Sequence, residues 1–591
     1  MSKLSASIDD LKTNDRQWDA FTTEDHCVVL APPGSGKTKL LTTRMASDLA
    51  HKIRKPQGAA CITLTNAAAD ELRRRIDELG VEDRPNLVIG TVHSFLLRKV
   101  VEPFAAVVDR PELASITIAS KDERNELLRE AIAEAFPNGD TWLVTSTIDK
   151  LRQRLASDED WAKSGDGVTR AARLYEAKLL ERRLHDFSGL VATAVDLVEN
   201  HHVVRQTLTA QFPHLYVDEY QDLAPGLDRV VKALCFDHYT NAELFAVGDP
   251  DQALFAFTGT RPELLDDLAA RHDVKTVELT RNYRCGAEII KVANRMRGDR
   301  PPIVGDRPGG VVSAVYCPGG LPDQYARVVA AVREACASGV VLHEIAVLCP
   351  TRQICVDVRT ALREAEIPAF FRDTNEYGVS QVTLFVEAAA AWAAAGREES
   401  GHRLGDLLNR WRYLLGPLWT NQHDRDLVAM LIMWADRRDE QATTFLDELE
   451  GVGLGQALSQ VAMAVDALEA KRMAVAMRLL TLGRLAMRAL PRDRVEVTTT
   501  TSSKGLEFDV VLIVGADESL MPSYRSKTPE DLAEDRRRFY VSITRARKEL
   551  RIFYSGFVVT KFNRRIRAGV SRYVKEVGLA DPAGAPSTRN V

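Results

Sequence analysis

Apolar residues come in short runs along the chain, and most runs are followed by a segment with helical spacing. The first run, Cys27–Leu30, precedes a helical pattern that starts near Lys39. Similar runs, rich in β-branched residues, start at Cys61, Leu215, Leu244, Ile345 and Val510. Alternating strands and helices indicate parallel sheets, because a connection between parallel strands has to return along the face of the sheet.

The predicted strands form two groups, each interrupted by a long helical stretch. We therefore predict an α/β fold with two parallel-sheet cores, each carrying a mainly helical insertion. The first core comprises residues 1–96 and 206–282, with an insertion at 97–205. The second core comprises residues 283–378 and 482–580, with a short insertion at 379–481, and residues 581–591 form a flexible tail.

Length and composition are those of a globular protein with several structural units. The 591 residues correspond to about four units at ~150 residues each. Apolar residues make up 45% and charged residues 27%, which excludes fibrous and wholly disordered classes. The alanine-rich stretch 388–395 is far shorter than the ~20 residues of a membrane span, so we expect a soluble, cytoplasmic protein without a membrane partner. The net charge of −5 leaves nucleic-acid binding open, because a binding groove needs only local positive charge.

The segment after the first strand has the pattern of a phosphate-binding loop, Ala31-Pro-Pro-Gly34-Ser35-Gly36-Lys37-Thr38, with alanine in place of the usual first glycine. Small residues allow backbone N–H groups to face a phosphate at a helix N-terminus. We expect Lys37 to reach the terminal phosphates and the Thr38 hydroxyl to ligate Mg²⁺. The predicted nucleotide-binding residues of this segment are Pro33, Gly34, Ser35, Gly36, Lys37, Thr38 and Lys39.

Polar side chains also follow two later strands. Asp218 and Glu219 come directly after Leu215-Tyr-Val, and Gln252 follows Leu244-Phe-Ala-Val shortly afterwards. We assign Asp218 to the metal and Glu219 to the attacking water, because phosphoryl transfer to water needs both functions. A solvated turn is the alternative for the two acids, but it explains the preceding apolar run poorly.

The sequence D-E-Y-Q-D followed by V-G-D-P-D-Q resembles the superfamily 1 helicases of the UvrD/Rep/PcrA group. The resemblance implies two RecA-like cores of the phosphate-loop NTPase type that bind ATP and Mg²⁺ in the cleft between them. Further motifs follow in the order of the family: Asn14-Asp-Arg-Gln17, Thr63-Leu64-Thr65-Asn66, Gly90-Thr91-Val-His93-Ser94-Phe95, Asp186-Phe187, Arg281-Asn282-Tyr283-Arg284, Thr499 to Phe508 and Glu534 to Arg547.

The resemblance also implies roles in the ATP site. Gln17 would hydrogen-bond the adenine, Tyr283 would stack on its ring, and Glu507 would contact the ribose. Gly505 of the same motif is a further expected nucleotide-binding residue. Arg284 and Arg545 would act like arginine fingers once the cores close. The expected catalytic residues are Glu219, Lys37, Gln252, Arg284 and Arg545.

On the DNA side, the resemblance implies backbone contacts from Thr65, Asn66, His93 and Ser94, with Asn66 as the N-cap of a helix. His93 is equally well explained as a structural histidine. Two aromatic residues, Phe255 and Phe257, suit base stacking, with core packing as the alternative.

Three residues depart from the pattern of the family on the DNA side. Thr258 replaces its arginine, Leu64 its aromatic residue and Thr501 its histidine. These changes concern DNA contacts or their coupling to ATP, so they put efficient unwinding in doubt more than hydrolysis.

The function expected from the sequence is an ATP-dependent single-strand DNA translocase and 3′–5′ DNA helicase that hydrolyses ATP to ADP and phosphate at single-strand/duplex junctions. One alternative is a helicase subunit that works with a separate nuclease, because the compact chain resembles the helicase component of the Gabija phage-defence system. The other is a DNA-binding regulator with little motor activity. The pathway, whether DNA repair, replication or antiviral defence, stays open.

Overall fold

The structure is a computed structural model that describes most of the chain. Phe255, Phe257 and Thr258 lie outside the described residues, as does the predicted tail 581–591. The described residues are 2–82, 84, 86–108, 113–114, 116–119, 121–238, 240, 242–254, 260–371, 377–378, 380–460, 464–489, 494–559 and 564–580.

All predicted strands are present among the described residues. In chain order the strands are β1 (Cys27–Leu30), β2 (Ala59–Thr63), β3 (Leu87–Thr91), β4 (Thr117–Ile118), β5 (Leu184–His185), β6 (His214–Val217), β7 (Glu243–Gly248), β8 (Lys275–Glu278), β9 (Arg281–Gly286), β10 (Val304–Arg307), β11 (Val311–Tyr316), β12 (Ile345–Cys349), β13 (Ala369–Phe370), β14 (Val495–Thr499), β15 (Phe508–Ile513), β16 (Ala546–Tyr554), β17 (Phe557–Val559) and β18 (Arg565–Arg567).

Helices connect the strands and make up most of two long stretches. In chain order the helices are α1 (Lys3–Leu11), α2 (Asp15–Thr22), α3 (Lys37–His51), α4 (Asn66–Glu78), α5 (Val92–Phe95), α6 (Glu102–Phe104), α7 (Lys121–Ala135), α8 (Thr141–Gln153), α9 (Asp158–Ser164), α10 (Asp166–Glu181), α11 (Phe187–Asn200), α12 (His202–Gln211), α13 (Pro225–Cys235), α14 (Glu263–Ala269), α15 (Ala287–Asn294), α16 (Leu321–Ala337), α17 (Arg352–Glu364), α18 (Gln381–Ser400), α19 (Leu404–Leu415), α20 (Asn421–Met433), α21 (Ala442–Leu449), α22 (Gly455–Gln460), α23 (Ala464–Met477), α24 (Leu482–Ala486), α25 (Pro529–Ile543) and α26 (Arg572–Glu576).

Two parallel sheets form the framework. The first has the strand order β3-β2-β6-β7-β1-β8 and the second has the order β11-β16-β15-β12-β14-β13. All neighbouring strands in both sheets are parallel. The predicted α/β fold class with two parallel-sheet cores is confirmed. Because the carboxyl ends of parallel strands meet at one edge, the loops after β1, β2, β6 and β7 lie along the same edge of the first sheet.

The second sheet is buried on both faces. Ala346 and Leu348 of β12 lie in one apolar cluster, whereas Ile345, Val347 and Cys349 lie in another. This alternation is the geometry of a strand covered by helices on either side, and it explains the continuous apolar runs in the sequence. Each buried aliphatic side chain contributes about 1.5–3 kcal/mol to the burial free energy.

The chain divides into two compact units. The first consists of Met1–Val92, Arg205–Phe371 and Arg492–Val591 and contains both six-stranded sheets. The second consists of His93–Val204 and Arg372–Pro491 and is mainly helical. The alanine-rich stretch belongs to α18 and is buried in the core of this helical unit. Every helix of the described residues is too short or too polar to cross a membrane.

Candidate active site

The loop between β1 and α3 has the conformation of an anion-binding site. Gly34 and Gly36 have φ angles of 71° and 82°, in the left-handed region that glycine adopts without strain. No side chain caps the N-terminus of α3, so its first-turn N–H groups are oriented toward any anion that lies there. The hydroxyl of Ser35 is buried in the same loop and has no hydrogen-bond partner among the described residues.

Gln17 and Tyr283, the two predicted adenine-binding residues, lie beside this loop. Gln17 is 3% exposed, and its Nε2 donates to the carbonyl oxygen of Ser35 at 2.8 Å. A Cβ atom on Gly36 would lie 2.7 Å from the same Nε2. Asn14 is the N-cap of α2, and its Nδ2 donates to the Tyr283 hydroxyl at 2.8 Å. The structure thus brings the start of α2 and the aromatic ring together at the loop.

Asn282 fixes the position of the loop relative to β9, a role that the sequence did not identify. Its buried Nδ2 donates to the Pro33 carbonyl oxygen at 2.5 Å. Its Oδ1 accepts hydrogen bonds from the N–H groups of Arg284 and Cys285, both at 2.8 Å. Asn282 is part of the recognised N-Y-R motif, but the motif does not show which backbone carbonyl its side-chain amide contacts.

Lys37 at the start of α3 forms an ion pair with Glu219 after β6. Glu219 has a φ of 56°, a left-handed conformation that costs a residue other than glycine about 1–3 kcal/mol. Burial alone would raise the pKa of Glu219, but Lys37 and Lys504 outweigh it and lower the pKa to about 2. Burial and the neighbouring Glu219 raise the pKa of Asp218 to about 6. The two acids therefore have different electrostatic environments, although they are adjacent in the chain.

Gln221 and Asp249 connect the two acidic strand ends, and neither was among the predicted site residues. Gln221 donates through Nε2 to Glu219 Oε2 at 2.5 Å and accepts, through Oε1, the N–H of Asp249 at 3.0 Å. Gln252, one of the expected catalytic residues, donates to Asp249 Oδ2 at 2.8 Å. A continuous set of hydrogen bonds therefore runs from Glu219 to Gln252.

Lys504, in the loop after β14, joins the second sheet to this network. Its Nζ donates to Asp222 Oδ2 and, at 2.7 Å, to the carbonyl oxygen of Gln252. It also lies 3.9 Å from Glu219 Oε2. Burial and Glu219 raise the pKa of Asp222 to about 6, although Lys504 opposes them. Lys504 stands in a recognised motif, but a sequence motif does not show which of its side chains reaches the other sheet.

The two predicted arginine fingers lie close to each other. Arg545 is 2% exposed and donates to two carbonyl oxygens, those of Val541 at 3.0 Å and Leu506 at 3.1 Å. Burial and the neighbouring Arg284 lower the pKa of Arg545 to about 10. Arg284 forms an ion pair with Glu507 at 2.6 Å, so the predicted ribose contact is occupied by an arginine in this structure.

The remaining predicted nucleotide-binding residues lie at the margins of the site. Thr38 is half-buried next to Lys37 in the first turn of α3. Lys39 forms an ion pair with Asp10 of α1. Gly505 has a left-handed φ of 86° in the exposed loop that carries Lys504.

These residues fit a nucleoside triphosphate with Mg²⁺. The uncapped start of α3, the Ser35 hydroxyl and the Lys37 ammonium suit phosphate oxygens. Thr38 and Asp218 supply the oxygen atoms that Mg²⁺ prefers as ligands. Arg284 in β9 and Arg545 just before β16 of the second sheet add positive charge.

Thr65, rather than Asn66, is the N-cap of α4, so our prediction of Asn66 as the cap is wrong. Thr65 has an extended conformation, and its hydroxyl accepts the N–H of Ala68 at 3.2 Å, whereas Asn66 is the first helical residue. Both threonine and asparagine can cap a helix, and the backbone conformation decides between them here. Thr65 is exposed at the carboxyl edge of the first sheet.

His93 and Ser94 lie in α5, at the start of the helical unit. The His93 ring packs edge-on against Phe187, with a centroid distance of 4.8 Å. Burial lowers the pKa of His93 to about 4, so the side chain is neutral at pH 7. This packing is typical of a structural histidine, one of the two interpretations of the sequence.

Comparison with known proteins places these features in a family. The sequence model of the UvrD/REP helicase N-terminal domain matches residues 13–273, and that of the UvrD-like helicase C-terminal domain matches residues 456–556. The ATP-dependent DNA helicase UvrD2 of Mycobacterium tuberculosis (strain ATCC 25618 / H37Rv) is 27% identical over 89% of this chain and 76% of its own length. DNA helicase II of Haemophilus influenzae is 25% identical over 94% of this chain and 85% of its own length. The ATP-dependent DNA helicase Rep of Escherichia coli K12 is 24% identical, with coverages of 89% and 88%.

Proposed function

Because the chain belongs to the UvrD-like helicase family, we propose that it is an ATP-dependent DNA helicase that moves along single-stranded DNA from 3′ to 5′. It hydrolyses ATP to ADP and phosphate at the site formed by Lys37 and Glu219. The two six-stranded sheets of the first unit would be the two motor cores. The insertions predicted at 97–205 and 379–481 fall, except for Arg205, within the helical unit.

The observation that carries the proposal is the position of Lys504. Its ammonium group contacts Asp222 and the Gln252 carbonyl oxygen, next to the acids that follow β6. A residue of the loop after β14, in the second sheet, therefore meets the polar residues that follow β6 and β7 of the first sheet, among them Glu219, the partner of Lys37. A site built in this way changes when the two sheets move relative to each other, which is the requirement for a motor driven by ATP.

The residues of the site divide the work of hydrolysis. Lys37 neutralises charge on the terminal phosphates, and its present partner Glu219 is then available to orient the attacking water. Thr38 and Asp218 would hold Mg²⁺, which supplies additional positive charge at the phosphates. Arg284 and Arg545 stabilise the negative charge that develops during transfer.

The test is ATP turnover by the purified chain with and without single-stranded DNA, and strand separation on duplexes with a 3′ or a 5′ tail. We expect DNA to stimulate turnover and the 3′-tailed duplex to be separated preferentially. Lys37→Ala should abolish both activities, because the terminal phosphates lose their ammonium contact. The far-ultraviolet circular dichroism spectrum should stay unchanged, because alanine is fully compatible with the first turn of α3. Retention of DNA-stimulated turnover in Lys37→Ala would exclude this site.

A second candidate is a helicase subunit that acts with a separate nuclease, as in a phage-defence complex. It is favoured by the compact second insertion, which the sequence places at 379–481. Co-purification of a nuclease with the tagged chain from its native host would support it. A third candidate, a DNA-binding regulator with little motor activity, predicts DNA binding without DNA-stimulated ATP turnover, so the turnover assay separates it from the other two.

A further inference from the structure

Thr63, the last residue of β2, lies beside the predicted metal ligand Asp218. Strands β2 and β6 pair in register, with Cys61 opposite Tyr216 and Ile62 opposite Val217. The N–H of Asp218 continues this ladder by donating to the Ile62 carbonyl oxygen at 2.9 Å. Neighbouring residues in register on parallel strands project to the same face of the sheet, so the side chains of Thr63 and Asp218 share a face.

That face is the one covered by the helix of the phosphate-binding loop. Cys61 and Tyr216, two positions before Thr63 and Asp218, lie in the apolar cluster that contains Leu40 and Leu41 of α3. Thr63 therefore stands at the end of the strand where α3 begins, on the side of Lys37. Lys37 is close enough to Asp218 to influence the pKa of the acid.

The Thr63 hydroxyl is buried and lacks a hydrogen-bond partner among the described residues. Thr63 is 1% exposed, and its Oγ1 makes no hydrogen bond with any described residue. A buried hydroxyl without a partner is unfavourable and uncommon in native proteins, and a bound ligand, ion or water that supplies the partner explains it. Ser35 Oγ in the phosphate loop and Asp222 Oδ1 share this property, which places three such atoms around one site.

We propose that Thr63 is a positioning residue for the divalent cation of the bound nucleotide: its hydroxyl hydrogen-bonds a water molecule of the cation, together with the Asp218 carboxylate. The inference rests on the proposed function and adds to it a residue outside the phosphate-binding loop and the two acids that follow β6. A residue that orients the ligands of a metal ion, without binding the ion itself, acts mainly on metal affinity.

The experiment measures Mn²⁺ binding by electron paramagnetic resonance in the presence of a non-hydrolysable ATP analogue. Thr63→Val has nearly the same shape and lacks only the hydroxyl, so it should weaken Mn²⁺ binding about ten-fold, as for other residues that support metal ligands. Affinity for the analogue in EDTA should stay at the wild-type value. Thr63→Ser, which keeps a hydroxyl, should bind Mn²⁺ like the wild type.

The thermal unfolding midpoint without nucleotide separates this role from a structural one. Since the hydroxyl has no partner in the free protein, Thr63→Val should unfold at the same or a higher temperature. A clearly lower midpoint would show that the hydroxyl stabilises the fold and would overturn the proposal. Should Thr63→Val fail to fold for steric reasons, the comparison of Thr63→Ala with Thr63→Ser decides by the same criteria.

The matched control is Thr276→Val in β8 of the same sheet, where the hydroxyl donates to the Ala269 carbonyl oxygen at 2.6 Å. This variant should lower the midpoint and leave Mn²⁺ affinity unchanged. Equal Mn²⁺ affinity of the wild type and Thr63→Val would overturn the proposed role of Thr63 and leave the proposed ATP site in place. Failure of the wild type to bind Mn²⁺ with the analogue would remove the proposed ATP site as well.

Discussion

At the scale of single residues, Glu219 combines an unfavourable backbone with a favourable charge environment. Its left-handed φ of 56° is energetically unfavourable, and its ion pair with Lys37 offsets part of this conformational energy. Strain of this kind persists where the surrounding structure fixes a side chain for chemistry. The residue is therefore a better candidate for orienting water than Asp218, whose pKa is raised to about 6 by burial and by the neighbouring Glu219.

Glu219→Gln should bind nucleotide and Mg²⁺ but turn over ATP ~10²–10⁴-fold more slowly, because the amide cannot accept a proton from the attacking water. The measurements are single-turnover hydrolysis and nucleotide affinity in parallel. The variant should also remain bound to single-stranded DNA for longer with ATP present. Turnover near the wild-type rate would show that the roles of the two acids are assigned wrongly.

At the scale of elements, the connection from β1 to α3 depends on glycine for two reasons. Gly36 has a left-handed φ, and a Cβ atom there would meet the amide of Gln17. Gly80, at the end of α4, has nearly the same φ of 80°, but open space surrounds its Cβ position. Comparing the two glycines therefore separates the effect of a left-handed φ, which both need, from the effect of the close approach of Gln17, which only Gly36 has.

Gly36→Ala and Gly80→Ala should each destabilise the fold by about 1–2 kcal/mol, because alanine is strained in the left-handed region. Only Gly36→Ala should also weaken nucleotide binding, since its methyl group displaces Gln17 from the Ser35 carbonyl oxygen. Chemical denaturation and nucleotide titration measure the two effects. If both variants bound nucleotide equally well, the contact between Gln17 and the loop would have no role in binding.

At the scale of the whole molecule, two neighbouring arginines, the half-buried Arg284 and the buried Arg545, form a site suited to an anion. Arg545 donates hydrogen bonds to neutral carbonyl oxygens and has no carboxylate among these partners. It lies beside Arg284, whose guanidinium group forms an ion pair with Glu507. Two neighbouring guanidinium groups repel each other unless a negative group lies between them. A terminal phosphate bound in the first sheet's loop would satisfy this requirement when the sheets approach.

Arg284→Ala and Arg545→Ala should therefore lower the turnover number by at least ~10²-fold and affect nucleotide affinity far less, because the contacts strengthen in the transition state. Steady-state kinetics with nucleotide titration test this. Arg536→Ala on α25 is the matched control, since Arg536 is paired with Glu576 at 2.8 Å and should leave turnover unchanged. Parallel losses of affinity with no change in turnover would contradict the closing of the sheets on the phosphate.

The DNA side gives a prediction that rests on the sequence alone, since Thr258 lies outside the described residues. We expect robust DNA-stimulated ATP turnover but modest unwinding of long duplexes, improved by a 3′ single-stranded tail. Replacing the family's arginine by Thr258 loses a polar contact of about 1–2 kcal/mol, about ten-fold in affinity. Thr258→Arg should increase strand separation and DNA affinity. Efficient unwinding of long duplexes by the wild type would contradict the coupling argument.

The fold class and the ATP-site motifs could be predicted because they are local patterns. Strands such as Cys27–Leu30 and His214–Val217 follow from short apolar runs, and the loop from Ala31 to Thr38 follows from the spacing of its small residues. Each of these patterns is contained in fewer than about 20 consecutive residues, so the sequence determines it without knowledge of strand order.

Contacts between motifs were decided only by the tertiary structure. The hydrogen bond of Lys504 with Asp222, the hydrogen bond of Asn282 with the phosphate loop and the strand register that brings Thr63 next to Asp218 all join residues that are far apart in the chain. Even the choice of Thr65 over Asn66 as N-cap depended on the backbone conformation at the end of β2. The physical reason is that these contacts depend on which strands are neighbours, and the strand order of a parallel sheet leaves no local pattern in the sequence.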